Sequence, residues 1–443
     1  MRILHTSDWH LGRTFHGRVL DDAHAALADH LVELVTAEAV DAVLVAGDVY
    51  DRAIPPNDAV ALLDETLRRL TERTRVVLTP GNHDSARRLG FAADLMREGL
   101  IIRARTAGLD RGIILPDADG NEAAIVHALP YLDPDAAREI LPPLLTERLG
   151  EETPAKHTTG EGRTEGKDGD ASSQPGPPER PRLPRSHEAV VSAALRLVAA
   201  DLDRLRAGRS RRLPSLLMAH AFVVGGEACE SERDIRVGGV DSVPSGVFTT
   251  LGGSALAERS GGLDYVALGH LHRPQELTRP AGPRLVYSGS PLPFSFDEAE
   301  GARNSATKSS VLLDLGADGV TGLERIPTPV LHQVRTLTGT MPELLSPAFD
   351  DATGAWVRVI LQGERPPGAL ATLKERFPDL LAFQHEAPTR TARERIAVTA
   401  AADPLRITED FFDDVCGRAP EPSERGVLRS AYESALASAR SER

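Results

Sequence analysis

An α/β fold is predicted by three features of the sequence. Short apolar runs alternate with amphipathic helical stretches from Met1 to about Pro130, so successive strands are joined by right-handed crossovers into a largely parallel sheet. Polar clusters of Asp, Asn and His sit where successive apolar runs give out, at the strand ends where such sheets gather their functional loops. The apolar content is aliphatic, 41% of residues being apolar and only 4% aromatic, so the core is built from Leu, Val, Ile and Ala.

In chain order, Arg2–Ser7, Ala42–Ala46 and Arg75–Thr79 read as strands, and Asp22–Ala39 and Asn57–Glu72 as helices. Asn57, after Pro55 and Pro56, is the expected N-cap of the second helix. Ala123–Leu129, Leu213–Ala219, Asp264–Leu268, Arg284–Tyr287 and Ser309–Leu313 read as further strands, the later ones forming a second sheet packed on the first. These elements define a domain over residues 1–330. Residues 151–185 interrupt it with a stretch dense in Gly, Pro, Ser, Thr, Glu and Lys, read as a disordered insert. Ser186 then caps a helix over His187–Arg206, whose apolar face carries Val190, Ala194, Leu195, Leu197, Val198 and Leu202.

Beyond Pro329 the pattern changes. Trp356–Leu361 and Leu380–Gln384 read as strands and Pro367–Arg376 as a helix, giving a small α+β module over 331–400. Residues 401–443 read as two short amphipathic helices separated by Pro420 and Pro422, an arrangement that calls for a partner surface. A chain of 443 residues is consistent with two or three such domains.

No charged-then-apolar leader precedes the first strand, and no window reaches the roughly 20 apolar residues of a membrane span, so a membrane location is not expected. Cys229 and Cys416 form no paired motif, which argues against a zinc or disulfide framework and for a reducing cytoplasm. The net charge of −14 argues against a chain coated in basic surface. Cations bound to clustered carboxylates would offset part of that charge, leaving local basic patches free to meet a polyanion.

The clusters are Asp8-Trp9-His10, Gly47-Asp48-Val49-Tyr50-Asp51, Gly81-Asn82-His83-Asp84, the lone His220, and Gly269-His270-Leu271-His272. Carboxylate, amide oxygen and imidazole donors without thiolates suit Mn²⁺, Mg²⁺, Fe or Zn in a catalytic role, manganese being favoured. Two cations about 3.5–4 Å apart need a bridging carboxylate. Asp48 is the candidate, because Gly47 before it lets the backbone turn tightly.

In this order and at strand ends, the clusters resemble the calcineurin-like metallophosphoesterase superfamily. Met1–Gly12 and Tyr287–Phe296 extend the likeness to its bacterial DNA nuclease subunits, over nearly the whole chain. The resemblance implies a β-sandwich of two mixed sheets flanked by helices, with a small α+β capping domain and C-terminal helices. It implies that Asp8, His10, Asp48 and His272 hold one metal, that Asp48, Asn82, His220 and His270 hold the other, and that His83 stands beside the scissile phosphate. It further implies two divalent ions, Mn²⁺ or Mg²⁺; a capping module over 331–400; and C-terminal helices that grip the coiled-coil base of an ATPase, through which alone ATP acts. The implied substrates are double-stranded DNA ends and hairpins, cut by a homodimer within a heterotetramer at the nucleoid, in repair, recombination and replication.

Several residues carry two readings. Asp51 either orients a metal ligand or stabilises its turn. Arg13, Arg52, Arg87 and Arg88 either meet DNA phosphates or are solvated or paired with carboxylates. His5, His24, His30 and His127 fall within strand or helix patterns and read as satisfied core or surface residues, while Phe294 and Phe296 near the site loop read as packing residues, with base stacking as the alternative. Two rival functions use the same residues: a phosphoesterase acting on small nucleotides or phosphoproteins, and a non-catalytic tether between an ATPase and DNA.

Overall fold

A run such as Ala42-Val43-Leu44-Val45-Ala46 has no polar face to offer water, and in the computed structural model it is buried along its whole length. The structure describes residues 1–96, 99–151, 181–232, 242–277, 281–298, 307–387, 404–416 and 418–441. The run is β4 (Ala42–Ala46), an inner strand of a six-stranded sheet. β1 (Arg2–Thr6), β5 (Arg75–Thr79) and β6 (Leu100–Ile102) belong to its parallel part, while β13 (Ser309–Gly316) and β14 (Gly319–Pro327) add an antiparallel pair beyond β1.

The second six-stranded sheet is also mixed. Its inner strands β8 (Glu122–Ala128), β9 (Ser215–His220), β10 (Tyr265–Gly269) and β12 (Arg284–Tyr287) are parallel, and β7 (Ile113–Pro116) and β11 (Gln275–Leu277) close its edges antiparallel. Alternate residues of each strand serve different layers. Ile3, Leu44 and Val77 meet Val126, Leu216, Met218 and Val286 between the sheets. Leu4, Val43, Val45, Val76 and Leu78 face outward onto α1 (Asp21–Ala37) and α2 (Asn57–Thr71). The outer face of the second sheet is covered in the same way by α4 (Pro134–Leu149), α5 (His187–Arg206) and the short α6 (Gly246–Thr249). The result is the expected β-sandwich of two mixed sheets flanked by helices.

Three details depart from the sequence reading. Ser309–Leu313 joins the first sheet, because Leu313 and Val311 pair with Ile3 and His5 and close the open edge of β1. Asn57 is the first helical residue: Pro56 occupies the N-cap position with extended ψ, and no side chain caps α2. α4 was not anticipated, since Pro142 and Pro143 disguise its pattern; Asp133 caps it by accepting from the amides of Asp135 and Ala136, and Gly150 ends it in a left-handed turn. By contrast, the Ser186 hydroxyl caps α5 as expected, accepting from the Ala189 amide at 3.2 Å.

Three parallel strands, β15 (Val334–Gly339), β16 (Trp356–Gln362) and β17 (Leu380–Glu386), form the small module with α7 (Met341–Leu344) and α8 (Ala369–Arg376). It has its own core of Leu337, Val357, Val359, Leu373 and Phe377. Trp356 and Val334 join a further cluster with Phe15, Leu20, Phe294 and Phe296, so the module packs beside the loop that follows β12. Phe15 lies on a small ribbon of β2 (Thr14–Phe15) and β3 (Arg18–Val19). All of this lies in one compact unit, Met1–Glu386. A second unit, Ala387–Arg443, contains α9 (Pro404–Cys416) and α10 (Pro422–Ser441), with Arg425 and Glu409 paired at 3.6 Å. Most of the expected insert, 152–180, lies outside the described residues. No helix among the described residues is long and apolar enough to cross a membrane.

Candidate metal centre

Five strands deliver the polar clusters to one place. Asp8 and His10 follow β1, Asp48 follows β4, Asn82 and His83 follow β5, His220 ends β9, and His270 and His272 follow β10. The first two loops are stitched together by main-chain bonds, the amides of Asp8, His10 and Leu11 donating to the carbonyls of Gly47, Asp48 and Val49. Of the eight non-glycine residues described with positive φ, four are Asp8, His10, Asp48 and His270. Such conformations are costly and persist where surrounding structure enforces them, here to turn donors inward. Gly47 (φ +87°) makes the tight turn expected before Asp48. A Cβ at Gly81 would collide with the Asp48 carboxylate, so this loop can close only with glycine.

The donors converge closely. Asp8, His10 and His272 each offer an atom within 4.8 Å of the others, as do Asp8, Asp48 and His220, and His10, Asp48 and His83. Asp48 stands between donors from both sheets, its carboxylate 3.7 Å from His10 Nε2, 3.5 Å from His220 Nε2 and 3.9 Å from His83 Nε2. Asn82 Oδ1 lies 2.9 Å from His220 Nε2 and 3.3 Å from His270 Nδ1. His10 Nε2 and His272 Nε2 face each other at 3.0 Å. Ring nitrogens and carboxylates directed together at one small volume form a donor set that fits divalent metal.

The electrostatics agree with that fit. Burial opposes charge on Asp48, yet the imidazoles of His220, His10 and His83 hold its carboxyl well below the usual range. Burial pushes Asp8 up, while His220 and His272 oppose the shift. Burial also lowers His10 and His270, leaving their rings neutral with lone pairs to offer. His220 is the exception: burial is outweighed by Asp48 and Asp8, which raise it to about 9 in the metal-free protein. Its Nδ1 sits 3.0 Å from the Ala46 carbonyl, which can only accept, so Nε2 is the atom directed at Asp48 and Asn82.

His83 is oriented differently. Its amide donates to Asp48 Oδ1 at 2.9 Å and its Nδ1 donates to the Asp51 carbonyl at 2.7 Å, which turns Nε2 toward the donor cluster, 3.9 Å from the Asp48 carboxylate. Asp51 thus acts on a site residue through its main chain, while its carboxylate lies 3.7 Å from Arg13 and 3.5 Å from Arg52. Arg13 is committed to the protein, donating to the Ser231 carbonyl at 2.9 Å and lying 4.7 Å over the Phe294 ring. Arg52 is exposed, as are Arg87 and Arg88 on the short α3 (Ala86–Leu89). His5 and His24 are buried away from the donors, 2.9 Å from the Tyr265 hydroxyl and 3.0 Å from the Trp9 carbonyl, and His127 pairs with Asp201 at 2.9 Å. Phe294 and Phe296 are packing residues, Phe294 meeting His10 and His272 edge-on.

Two sets of contributors escaped the sequence reading. Asp84, the last residue of its tetrapeptide, accepts from the amides of Gly81, Val49 and Tyr50 at 2.9, 3.0 and 2.9 Å, and so locks the β4 and β5 loops together. Burial and the Asp48 charge raise its carboxyl to about 7. The motif position was its only signal. Around His272 stand Ser231, Glu232, Glu298 and Lys308, which no local motif marks.

Known proteins resemble this chain in sequence. Residues 1–122 match the family described as calcineurin-like phosphoesterase. The chain is 35% identical over 429 residues to the SbcD subunit of the nuclease SbcCD from Rhodobacter capsulatus, covering 92% of this chain and 91% of that protein. A solved structure of the protein TT1561 from Thermus thermophilus covers 74% of this chain and 98% of its own at 15% identity, with a TM-score of 0.36. By its identity across nearly its whole length, the chain belongs to the SbcD family of calcineurin-like phosphoesterases and is a metal-dependent phosphodiester hydrolase.

Proposed function

We propose that this chain is the nuclease subunit of an SbcCD-type complex and that it hydrolyses DNA phosphodiesters at a two-metal centre. The observation that carries the reading is Asp48, whose carboxylate lies within 4 Å of ring nitrogens from both sheets, where a bridging ligand belongs. One ion is assigned to Asp8, His10, Asp48 and His272, the other to Asp48, Asn82, His220 and His270, with Mn²⁺ favoured and Mg²⁺ as the alternative. When bound, the ions supply Lewis-acid polarisation of the phosphate and activation of the attacking water.

The chain's own residues do the rest. Asp48 and Asp8 supply the negative charge that retains cations in a buried site. His83, anchored through Nδ1, presents Nε2 to hold the phosphate or deliver a proton to the departing oxygen. Arg52, Arg87 and Arg88 are exposed beside these loops and suit contacts with DNA phosphates, whereas Arg13 is engaged within the protein.

In this reading residues 1–330 carry the chemistry, 331–400 cap the DNA groove, and 401–443 grip an SbcC-type ATPase that alone uses ATP. The complex, a homodimer of this chain within a heterotetramer, acts on double-stranded ends and hairpins in the cytoplasm at the nucleoid, serving repair, recombination and replication. Purified protein with Mn²⁺ is expected to cleave linear duplex DNA in preference to nucleotide monoesters and cyclic nucleotides. His83→Ala should lower kcat about a hundredfold with bound metal unchanged. Turnover of small nucleotides alone would favour the rival phosphoesterase, and undiminished cleavage by the variant would remove His83 from the chemistry.

A further inference from the structure

Lys308 and Glu298 form a buried ion pair with side chains 4% and 1% exposed, Lys308 reaching the His272 carbonyl and Glu298 lying 3.6 Å from His272 Nδ1. Burying two charges is costly unless their remaining hydrogen-bonding capacity is filled. Here it is. The ammonium donates to Glu298 Oε2, to Ser290 Oγ at 2.9 Å and to the His272 carbonyl at 2.9 Å, using all three of its hydrogens. Glu298 Oε1 accepts from Ser231 Oγ at 2.5 Å, and Ser295 Oγ lies 2.6 Å from the same oxygen with its one hydrogen shared between Glu298 and Asp297.

Ser231 Oγ also lies 2.5 Å from His272 Nδ1, and its single hydrogen decides the direction of the chain. A carboxylate paired with an ammonium only accepts, so the serine hydrogen points at Glu298. If it pointed at the ring, two oxygens would face each other across 2.5 Å with no hydrogen between them. Ser231 Oγ is therefore the acceptor toward the ring, Nδ1 carries the proton, and Nε2 keeps its lone pair. Glu232 completes the enclosure by accepting from the His272 amide at 2.7 Å. Every polar atom of His272 except Nε2 is thus held, whereas Nδ1 of the opposing His10 is buried without a partner.

We propose that Lys308, Glu298 and Ser231 form a positioning relay that fixes His272 as its Nδ1–H tautomer and turns Nε2 into the metal centre. The carboxylate acts through the serine hydroxyl, so the three act on the centre only through His272. The proposal rests on the two-metal reading only for its effect on metal affinity, since the tautomer is a property of the metal-free chain. Outer partners of metal-binding imidazoles typically contribute about 10- to 100-fold in affinity.

The test uses the full-length chain labelled with ¹⁵N-histidine, with His272 assigned by the signal lost in His272→Gln. The metal-free wild type is expected to show the Nδ1–H pattern at His272. In Ser231→Ala that preference is lost and Mn²⁺ binding by calorimetry weakens about 10- to 100-fold at one site only, while Ser231→Thr restores both. Glu298→Gln, whose amide can donate to Ser231 and reverse the chain, should shift the ring toward Nε2–H and provides a second reading should the alanine variant fold poorly. A wild-type tautomer and wild-type Mn²⁺ affinity in Ser231→Ala would overturn the relay. Absence of Mn²⁺ binding in the wild type would instead sink the two-metal reading and leave the tautomer measurement to decide the relay.

Discussion

The two sheets contribute unlike halves to the candidate metal centre. The first supplies both carboxylates, the amide oxygen of Asn82 and the rings of His10 and His83, on loops tied to one another by their own main chains and by Asp84. The second supplies only imidazoles, and each is steadied by something remote in sequence: His220 by the Ala46 carbonyl, His270 by Asp8 accepting from its amide at 3.0 Å, and His272 by Ser231, Glu232 and Lys308. One half is braced by neighbouring motifs and the other by tertiary structure. Damage should therefore spread differently from each.

The largest effect is expected at the residue that joins the halves. Asp48→Ala should reduce phosphodiester hydrolysis at least about 10³-fold, because both donor groups lose a member at once, with the variant still folded by circular dichroism. A loss confined to a few-fold would break the idea that the halves share a ligand. Next comes the brace of the second half. Lys308→Met leaves Glu298 charged and unpaired in the interior, and should cost about 3–5 kcal/mol in urea unfolding of the metal-free protein, part of which returns in Lys308→Met/Glu298→Gln. An unchanged midpoint would show that the second half does not depend on its remote pair.

The smallest effect separates site imidazoles from those inside strands. Burial lowers His5 to about 3, so it is neutral in the fold, whereas the unfolded chain takes up a proton below about 6.5. Its contribution is fully present above the unfolded value and is lost as pH falls from about 6.5 toward 3. Within that window the wild type should lose at most about 1.4 kcal/mol per pH unit more than His5→Gln. Parallel stability profiles of the two proteins between pH 6 and pH 4 would deny His5 this role.

The same division explains what the sequence made legible. Ala42–Ala46, Arg75–Thr79, Arg284–Tyr287 and His187–Arg206 fall where their apolar patterns and the Ser186 cap placed them, because their signals are local. The eight residues expected at the site converge for a related reason: each ends or follows a strand, so the sheets alone bring them together. Non-local choices were hidden. Nothing within Ser309–Leu313 says that its partner is Arg2–Thr6, and no spacing links Glu298 to Ser231. Asn57 misled because Pro56 took the capping position, and α4 was masked by its internal prolines.

The pairing of β1 with β13 also sets a schedule for biosynthesis. Translation delivers the opening strand first, yet the segment that covers its free edge leaves the ribosome only after both long outer helices of the second sheet have been made. Until then the nascent chain carries a bare hydrogen-bonding edge, the kind that recruits other copies, so interrupted messages should yield products prone to aggregate.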